Sequence, residues 1–466
     1  MKKSIAFLVA IAISVMTLTG CSKKHTDPNN PPKPQVEEPK PQPESVVTKE
    51  EISAFFTEKL NGKTTDFKPN QSLTTAQIAE AQQMVWQVWK QANQQFSEEK
   101  LIALTSHSGR KSGSWQLPAT LEANAVMPYY YGSKNSKPAD GYPLFLYLHG
   151  SGDKNSEWES GWQIANIHNV PAVYFIPQIP NTGELYRWYQ KSKQFAWEKL
   201  LRLAFLSGDV NANRVYFYGV SEGGYGSQRL ASFYADYLAG AGPMAGGEPL
   251  INAPVENCRN IGFEFITGEN DFMFHRNTLT RYTKEAFEKF RQTDPEGFAH
   301  NVELEKYSGH GVAYSKMVPR LEKYTRNPHP KRVVWEDFPM HDAYRTGFYN
   351  LTVQERAAER TRYTMDIVGN RVHISVDEVT YQGTETSPQW KFFLKYDKTF
   401  KPVQKGKFTI YFNDKLLNLN EEVVIIVNGK EMFKGMLKAD VQHIVKSCAT
   451  FFDPERLFPT AVEISF

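Results

Sequence analysis

The chain has 466 residues, of which 41% are apolar and 23% charged. These fractions exclude a mostly disordered, collagen-like or multi-span membrane protein and leave ample chain for a buried core. The formal charge of +3 comes largely from Lys2 and Lys3, so the body of the chain carries no overall positive field for gripping nucleic-acid backbones.

The N-terminus is basic at Lys2 and Lys3 and then apolar from Ile5 to Leu18. That run is shorter than the ~20 residues needed to span a bilayer. Leu18-Thr19-Gly20-Cys21 resembles the lipobox of bacterial lipoproteins. The resemblance implies a signal peptide over 1–20, cut before an acylated Cys21. Residues 21–46 hold seven prolines among polar residues, at 28, 31, 32, 34, 39, 41 and 43, and read as an extended tether. The expected location is a bacterial membrane-anchored lipoprotein, facing the periplasm or on the cell surface, with the outer membrane as its anchor. Cys258 and Cys448 are the other cysteines; no CxxC metal site or disulfide scaffold is present.

Residues 47–112 read as an N-terminal helical segment covering part of the next domain. Thr48 to Glu51 reads as a capping box with Ile52, Phe55, Phe56 and Leu60 on one face behind it, and Thr74 to Gln77 opens a second helix with Ile78, Met84, Val85, Val88 and Trp89 as its apolar side. From 113 to 330 apolar strands alternate with helical patterns. Leu144–Leu148, Ala172–Ile176, Val215–Tyr218 and Ile261–Ile266 are apolar on both faces, as strands of a covered parallel sheet are. The expected fold is α/β, a doubly wound, mostly parallel sheet, whose sites lie at the carboxyl ends of the strands. Beyond Pro330 the helical pattern stops. Short β-type runs, with Asn428-Gly429 as a hairpin turn, predict a C-terminal antiparallel β-sandwich over 331–466.

The chemistry lies at three strand ends. Gly219-Val220-Ser221-Glu222-Gly223 is G-x-S-x-G between a strand and a helix, the context that exposes a nucleophilic serine on a strained turn. The backbone N–H of Glu222 then faces a developing oxyanion. Leu148-His149-Gly150-Ser151-Gly152 ends an earlier strand, and its Gly150–Ser151 region supplies the second oxyanion donor. His149 comes too early to be the base and reads as a residue that orients this loop. Thr267-Gly268-Glu269-Asn270-Asp271 ends another strand, with Asp271 as the acid and Glu269 as its alternative. Ser308-Gly309-His310-Gly311 carries the base, with His275 and His341 as substitutes. Trp158, Tyr186 and Trp188 fall on the same side and are candidates for substrate binding or for packing under the loops. No metal or cofactor motif is present.

At these residues the chain resembles α/β-hydrolase serine esterases, in the branch of poly(3-hydroxybutyrate) depolymerase-like and feruloyl esterase-like proteins. The resemblance covers 113–330. It implies a triad of Ser221, Asp271 and His310 and hydrolysis of carboxylic esters through an acyl-enzyme; an open site, the aromatics and the lipid anchor add the expectation of acyl or feruloyl esters on polysaccharide. A serine peptidase of similar fold and a non-catalytic glycan-binding lipoprotein are the alternatives. Between Gly247 and Ile261 there is no room for a large lid, so an open site is expected. Trp335, Tyr381 and Trp390 would form a stacking face on the sandwich only if exposed together, and Trp335 is expected to be buried at the junction.

Overall fold

A computed structural model describes residues 46–181 and 187–466; the signal peptide, the tether with Cys21, and Tyr186 lie outside them. Helix α1 (Lys49–Leu60) starts where the Thr48 side chain accepts from the Glu51 N–H and the Glu51 carboxylate accepts from the Thr48 N–H at 2.8 Å. Thr74 and Gln77 form the same box ahead of α2 (Ile78–Gln95).

The central sheet has eight strands: β1 (Ser112–Gln116), β2 (Val126–Lys134), β3 (Tyr142–Leu148), β4 (Ala172–Pro177), β5 (Val210–Val220), β6 (Gly240–Met244), β7 (Gly262–Gly268) and β8 (His300–Glu305). Their order is β1-β2-β4-β3-β5-β6-β7-β8. The pairs β1–β2 and β2–β4 are antiparallel and the rest parallel. Helices α3 (Lys154–Ile167), α4 (Lys191–Ser207), α5 (Glu222–Tyr234) and α6 (Arg276–Thr293) connect successive strands, and α7 (Met317–Leu321) follows β8. Side chains alternate across the sheet. Leu144, Leu146 and Leu148 pack with Leu200 of α4, Leu230 of α5 and Phe287 of α6. Phe145 and Tyr147 pack on the other face with Ile164 of α3 and Leu321 of α7. This is the doubly wound α/β-hydrolase fold.

The C-terminal strands form two further sheets. One runs β9 (Arg332–Asp337), β12 (Thr361–Val368), β13 (Arg371–Thr386), β16 (Val423–Val427) and β17 (Lys430–Gly435), with β14 (Phe393–Pro402) paired to β13. The other holds β10 (Gly347–Phe348), β11 (Leu351–Glu355), β15 (Lys407–Phe412) and β18 (Thr460–Ser465). They face each other through aromatic contacts: Trp335 stacks on Phe348 with ring centroids 5.3 Å apart, and Tyr363 meets Phe408 edge to face at 5.7 Å. Trp335 is buried, and its core is continuous with that of the central sheet. Tyr381 donates to Glu336 at 2.9 Å, so Trp335, Tyr381 and Trp390 form no shared exposed face. The Asn428-Gly429 turn joins β16 to β17 with both residues at positive φ, 47° and 81°, as a two-residue hairpin requires.

Two expectations are corrected here. The C-terminal region is not purely β, because α8 (Val441–Phe451) starts at Asp440, whose side chain accepts from the Gln442 N–H. Its Val441, Ile444, Val445 and Cys448 pack against Phe56, Val85 and Trp89. The N-terminal helices therefore cover the end of the chain as well as part of the α/β domain, where Trp86 packs on the central core and Glu98 pairs with Arg202. The sheet is also not purely antiparallel: β13 and β16 run parallel.

Candidate active site

Ser221 stands between β5 and α5 with φ 55° and ψ −116°, outside the regions a residue with a Cβ adopts without strain. The turn is held by close backbone approach. A Cβ on Gly223 would lie 1.9 Å from the Leu148 carbonyl oxygen, and one on Gly219 2.5 Å from the Gly223 oxygen. The Ser221 N–H donates to the Met244 carbonyl at 2.9 Å, which fixes the serine against the end of β6.

The acid and the histidine arrive on neighbouring loops because β7 and β8 are adjacent and parallel. Gly268 lets these loops touch: a Cβ there would meet the Gly309 oxygen at 1.9 Å. The Asn270 N–H donates to the Ser308 carbonyl at 2.9 Å. His310 Nδ1 lies 2.7 Å from Asp271 Oδ2, and His310 Nε2 lies 2.9 Å from Ser221 Oγ. A carboxylate only accepts, so Nδ1 carries the proton and Nε2 is free to accept from the serine hydroxyl. Asp271 is buried, while the His310 side chain is 48% exposed.

Asp271 has a second partner. Its Oδ1 accepts from Arg276 Nη1 at 2.9 Å. Burial alone would raise this carboxyl, but the hydrogen bond from His310 and the Arg276 charge outweigh it and hold Asp271 below its ordinary value. Glu269, the alternative acid, faces the Tyr307 N–H instead. His275 bonds Ser387 Oγ at 2.8 Å, and His341 sits near the Lys191 N–H; neither meets the serine.

Of the oxyanion candidates, Glu222 and Ser151 border the cleft beside Ser221. The first N–H groups of α5, Glu222 among them, have no acceptor within the helix. Gly150 lies against the serine, with its Cβ position 3.3 Å from Ser221 Cβ. Burial raises the nearby Glu157 carboxyl. His149 orients the loop as expected. It is fully buried, its Nε2 accepts from the Ile179 N–H at 3.1 Å, and burial pushes it down to about 4.

The substrate-binding expectations need correction. Trp188 is fully buried and donates to the His149 carbonyl at 3.0 Å, so it supports the loop from beneath. Trp158 stacks on Tyr130 with ring centroids 4.0 Å apart and donates to the Ile176 carbonyl at 2.8 Å; it does not border the cleft. Tyr186 lies outside the described residues. The cleft beside Ser221 measures about 330 Å³. Its aromatic borders are Tyr189, from the segment that carries Trp188, Tyr225 of α5, Phe274 ahead of α6, and Phe392, Phe393 and Tyr396 from the β13–β14 hairpin of the C-terminal sheet. Arg229 lies over the Tyr189 ring at 3.8 Å and pairs with Glu248 through two bonds of 2.6 and 2.9 Å. Among the described residues no three His, Cys, Asp or Glu side chains are grouped to hold a metal ion.

No protein-family model matches the chain. It is 26% identical over 167 residues to poly(3-hydroxyalkanoate) depolymerase C of Paucimonas lemoignei, a match spanning 32% of this chain and 36% of that relative. Among solved structures it is similar to a thermostable esterase, at 19% identity with TM-score 0.35, over 46% of this chain and 59% of that one. It is also similar to a poly(3-hydroxybutyrate) depolymerase from Bordetella parapertussis, at 14% identity with TM-score 0.35, over 45% and 87%. The fold assignment stands on the sheet order and the serine turn rather than on these likenesses.

Proposed function

We propose that the protein is a serine hydrolase of carboxylic esters, acting through an acyl-enzyme. The observation that carries the proposal is the unbroken chain Asp271–His310–Ser221, with its serine on a strained strand–helix turn. Ser221 Oγ attacks the ester carbonyl as His310 Nε2 takes its proton. Asp271 holds the imidazole in that tautomer and balances the imidazolium. The N–H groups of Glu222 and of the Gly150–Ser151 loop face the oxyanion. His310 returns the proton to the leaving alcohol, and a water activated by the same imidazole releases the acid. The similarity to poly(3-hydroxyalkanoate) depolymerase C supports an ester as the bond cleaved. Acyl or feruloyl esters on polysaccharide are the proposed substrates. Acylation of Cys21 and tethering by residues 21–46 would hold the enzyme at the outer membrane, periplasm-facing or at the cell surface. The test is turnover by the purified chain of a 4-nitrophenyl ester and of a peptidyl 4-nitroanilide. Ester cleavage that disappears in Ser221→Ala supports the proposal; cleavage of the anilide alone assigns a peptidase instead.

A further inference from the structure

The hairpin of β13 and β14 leaves the C-terminal sheet and reaches the cleft. Phe392, Phe393 and Tyr396 border it together with Ser221. Phe393 is 44% exposed, so core packing does not account for it. Its ring lies over Gly383, where a Cβ would sit 2.2 Å from it; the missing side chain makes the place for the ring.

The hairpin is fastened where it crosses α6 and the loop before it. Ser387 Oγ bonds His275 Nε2 at 2.8 Å, and Tyr282 donates to Glu385 at 2.5 Å. Trp390 packs on Phe274 at 4.4 Å between ring centroids. Lower down, Lys398 joins Glu256 of the α/β domain and Glu336 of β9, each at 2.5 Å. These ties fix the aromatic wall relative to the serine.

The position of His310 says which half of an ester this wall meets. His310 Nε2 must reach the leaving oxygen, so the alcohol lies on the histidine side. That side is open, with the His310 side chain 48% exposed. The cleft borders Ser221, Ser151 and Glu222 but not His310, so it lies on the acyl side. Its volume of about 330 Å³ is at the lower end for small-molecule sites, room for one ring and its linker rather than a polymer segment. Phe274 and Tyr225 border it with the hairpin rings, and Arg187, Arg229, Arg276, Glu248 and Asn252 are its polar members. Aromatic rings gain by offset or edge contact with one another beyond the area they bury.

Resting on the ester-hydrolase reading, we infer that the β13–β14 hairpin of the C-terminal sheet builds the acyl-binding wall and selects an aromatic acyl group, while the alcohol projects past His310 into solvent.

The experiment compares 4-nitrophenyl acetate, hexanoate and ferulate, which share a leaving group, on the wild-type chain and on Phe393→Ala, Tyr396→Ala and Phe393→Leu. Thermal melts check that each variant is folded. The wild type should prefer the ferulate in kcat/KM. Each alanine variant should lower the ferulate-to-acetate ratio about tenfold or more, chiefly through KM, the scale expected for lost pocket contacts. Phe393→Leu, which keeps bulk without the ring, should fall between. Ratios that stay within about twofold in both alanine variants, or equal losses on all three esters, overturn the inference and leave the ester reading standing. A wild-type preference for hexanoate overturns the aromatic class. A wild type that cleaves none of the three fails the ester reading itself.

Discussion

Replacing Asp271 by Asn tests the triad at its most constrained atom pair. The carboxylate accepts two donors at once, His310 Nδ1–H at 2.7 Å and Arg276 Nη1–H at 2.9 Å. An amide of the same shape has a single acceptor oxygen, so it can satisfy one donor only. The arginine bond is charge-assisted and the stronger claim on that oxygen. The amide NH₂ then faces His310, Nδ1 must accept, and the proton moves to Nε2. In that tautomer the imidazole cannot take the Ser221 proton. The expected loss in kcat is about 10⁴-fold, or about 5.4 kcal/mol of barrier. Adding Arg276→Met removes the competing donor and lets the amide oxygen turn to His310. The double variant should regain about tenfold over Asp271→Asn, roughly the worth of one hydrogen bond to a charged group. The assay is steady-state hydrolysis of 4-nitrophenyl acetate, with melting curves to confirm folding. An Asp271→Asn variant within tenfold of wild type, or a double variant no faster than the single, would refute the reasoning.

Other predictions follow from buried charge and close approach. Arg456 bonds Asp236 at 2.6 Å and Asp453 at 2.8 Å, all three fully buried, so Arg456→Met should cost about 3–5 kcal/mol of unfolding free energy in denaturant titrations; a loss below about 1 kcal/mol contradicts it. Gly223→Ala should abolish ester cleavage although it touches no substrate, since its Cβ would lie 1.9 Å from the Leu148 oxygen; near-normal turnover would show that the turn can give way. Burial pushes His107, His149 and His168 each down to about 4. The unfolded chain takes up these protons near pH 6.5 and the native chain resists them, so this stability is intact above pH 6.5 and is lost as pH falls toward 4. Each histidine contributes up to about 3 kcal/mol. Unfolding free energies that do not fall between pH 7 and pH 5 would contradict this.

What was legible in the sequence was local. The serine turn follows from Gly219 and Gly223 beside an apolar strand. Chain order and strand ends single out Asp271 and His310. What was not legible depends on tertiary contact. The strand Gly240–Met244 has no apolar run, because close packing selects its small residues; a Cβ at Gly242 would meet Met317 at 2.3 Å. Helix α8 carries helical spacing at Val441, Ile444, Val445 and Cys448, but it sits among β-type runs that mask it. Trp158 and Trp188 are expected at the site from the sequence, yet Trp158 packs on β2 and β4 and Trp188 supports the His149 loop from beneath. The aromatic wall at Phe393 and Tyr396 lies more than 150 residues beyond Ser221. Only the crossing of β13 and β14 over α6 brings it to the site, and no spacing in the chain announces that crossing.

The most direct test of the central claim is covalent trapping of the nucleophile. The purified chain is treated with a fluorophosphonate and examined by intact and peptide mass spectrometry, in parallel with residual turnover of 4-nitrophenyl acetate. The account predicts one adduct per chain, on the peptide containing Ser221, with activity lost in proportion, and no adduct on Ser221→Ala. An adduct on another serine that tracks the loss of activity, or full ester turnover by Ser221→Ala, would contradict it.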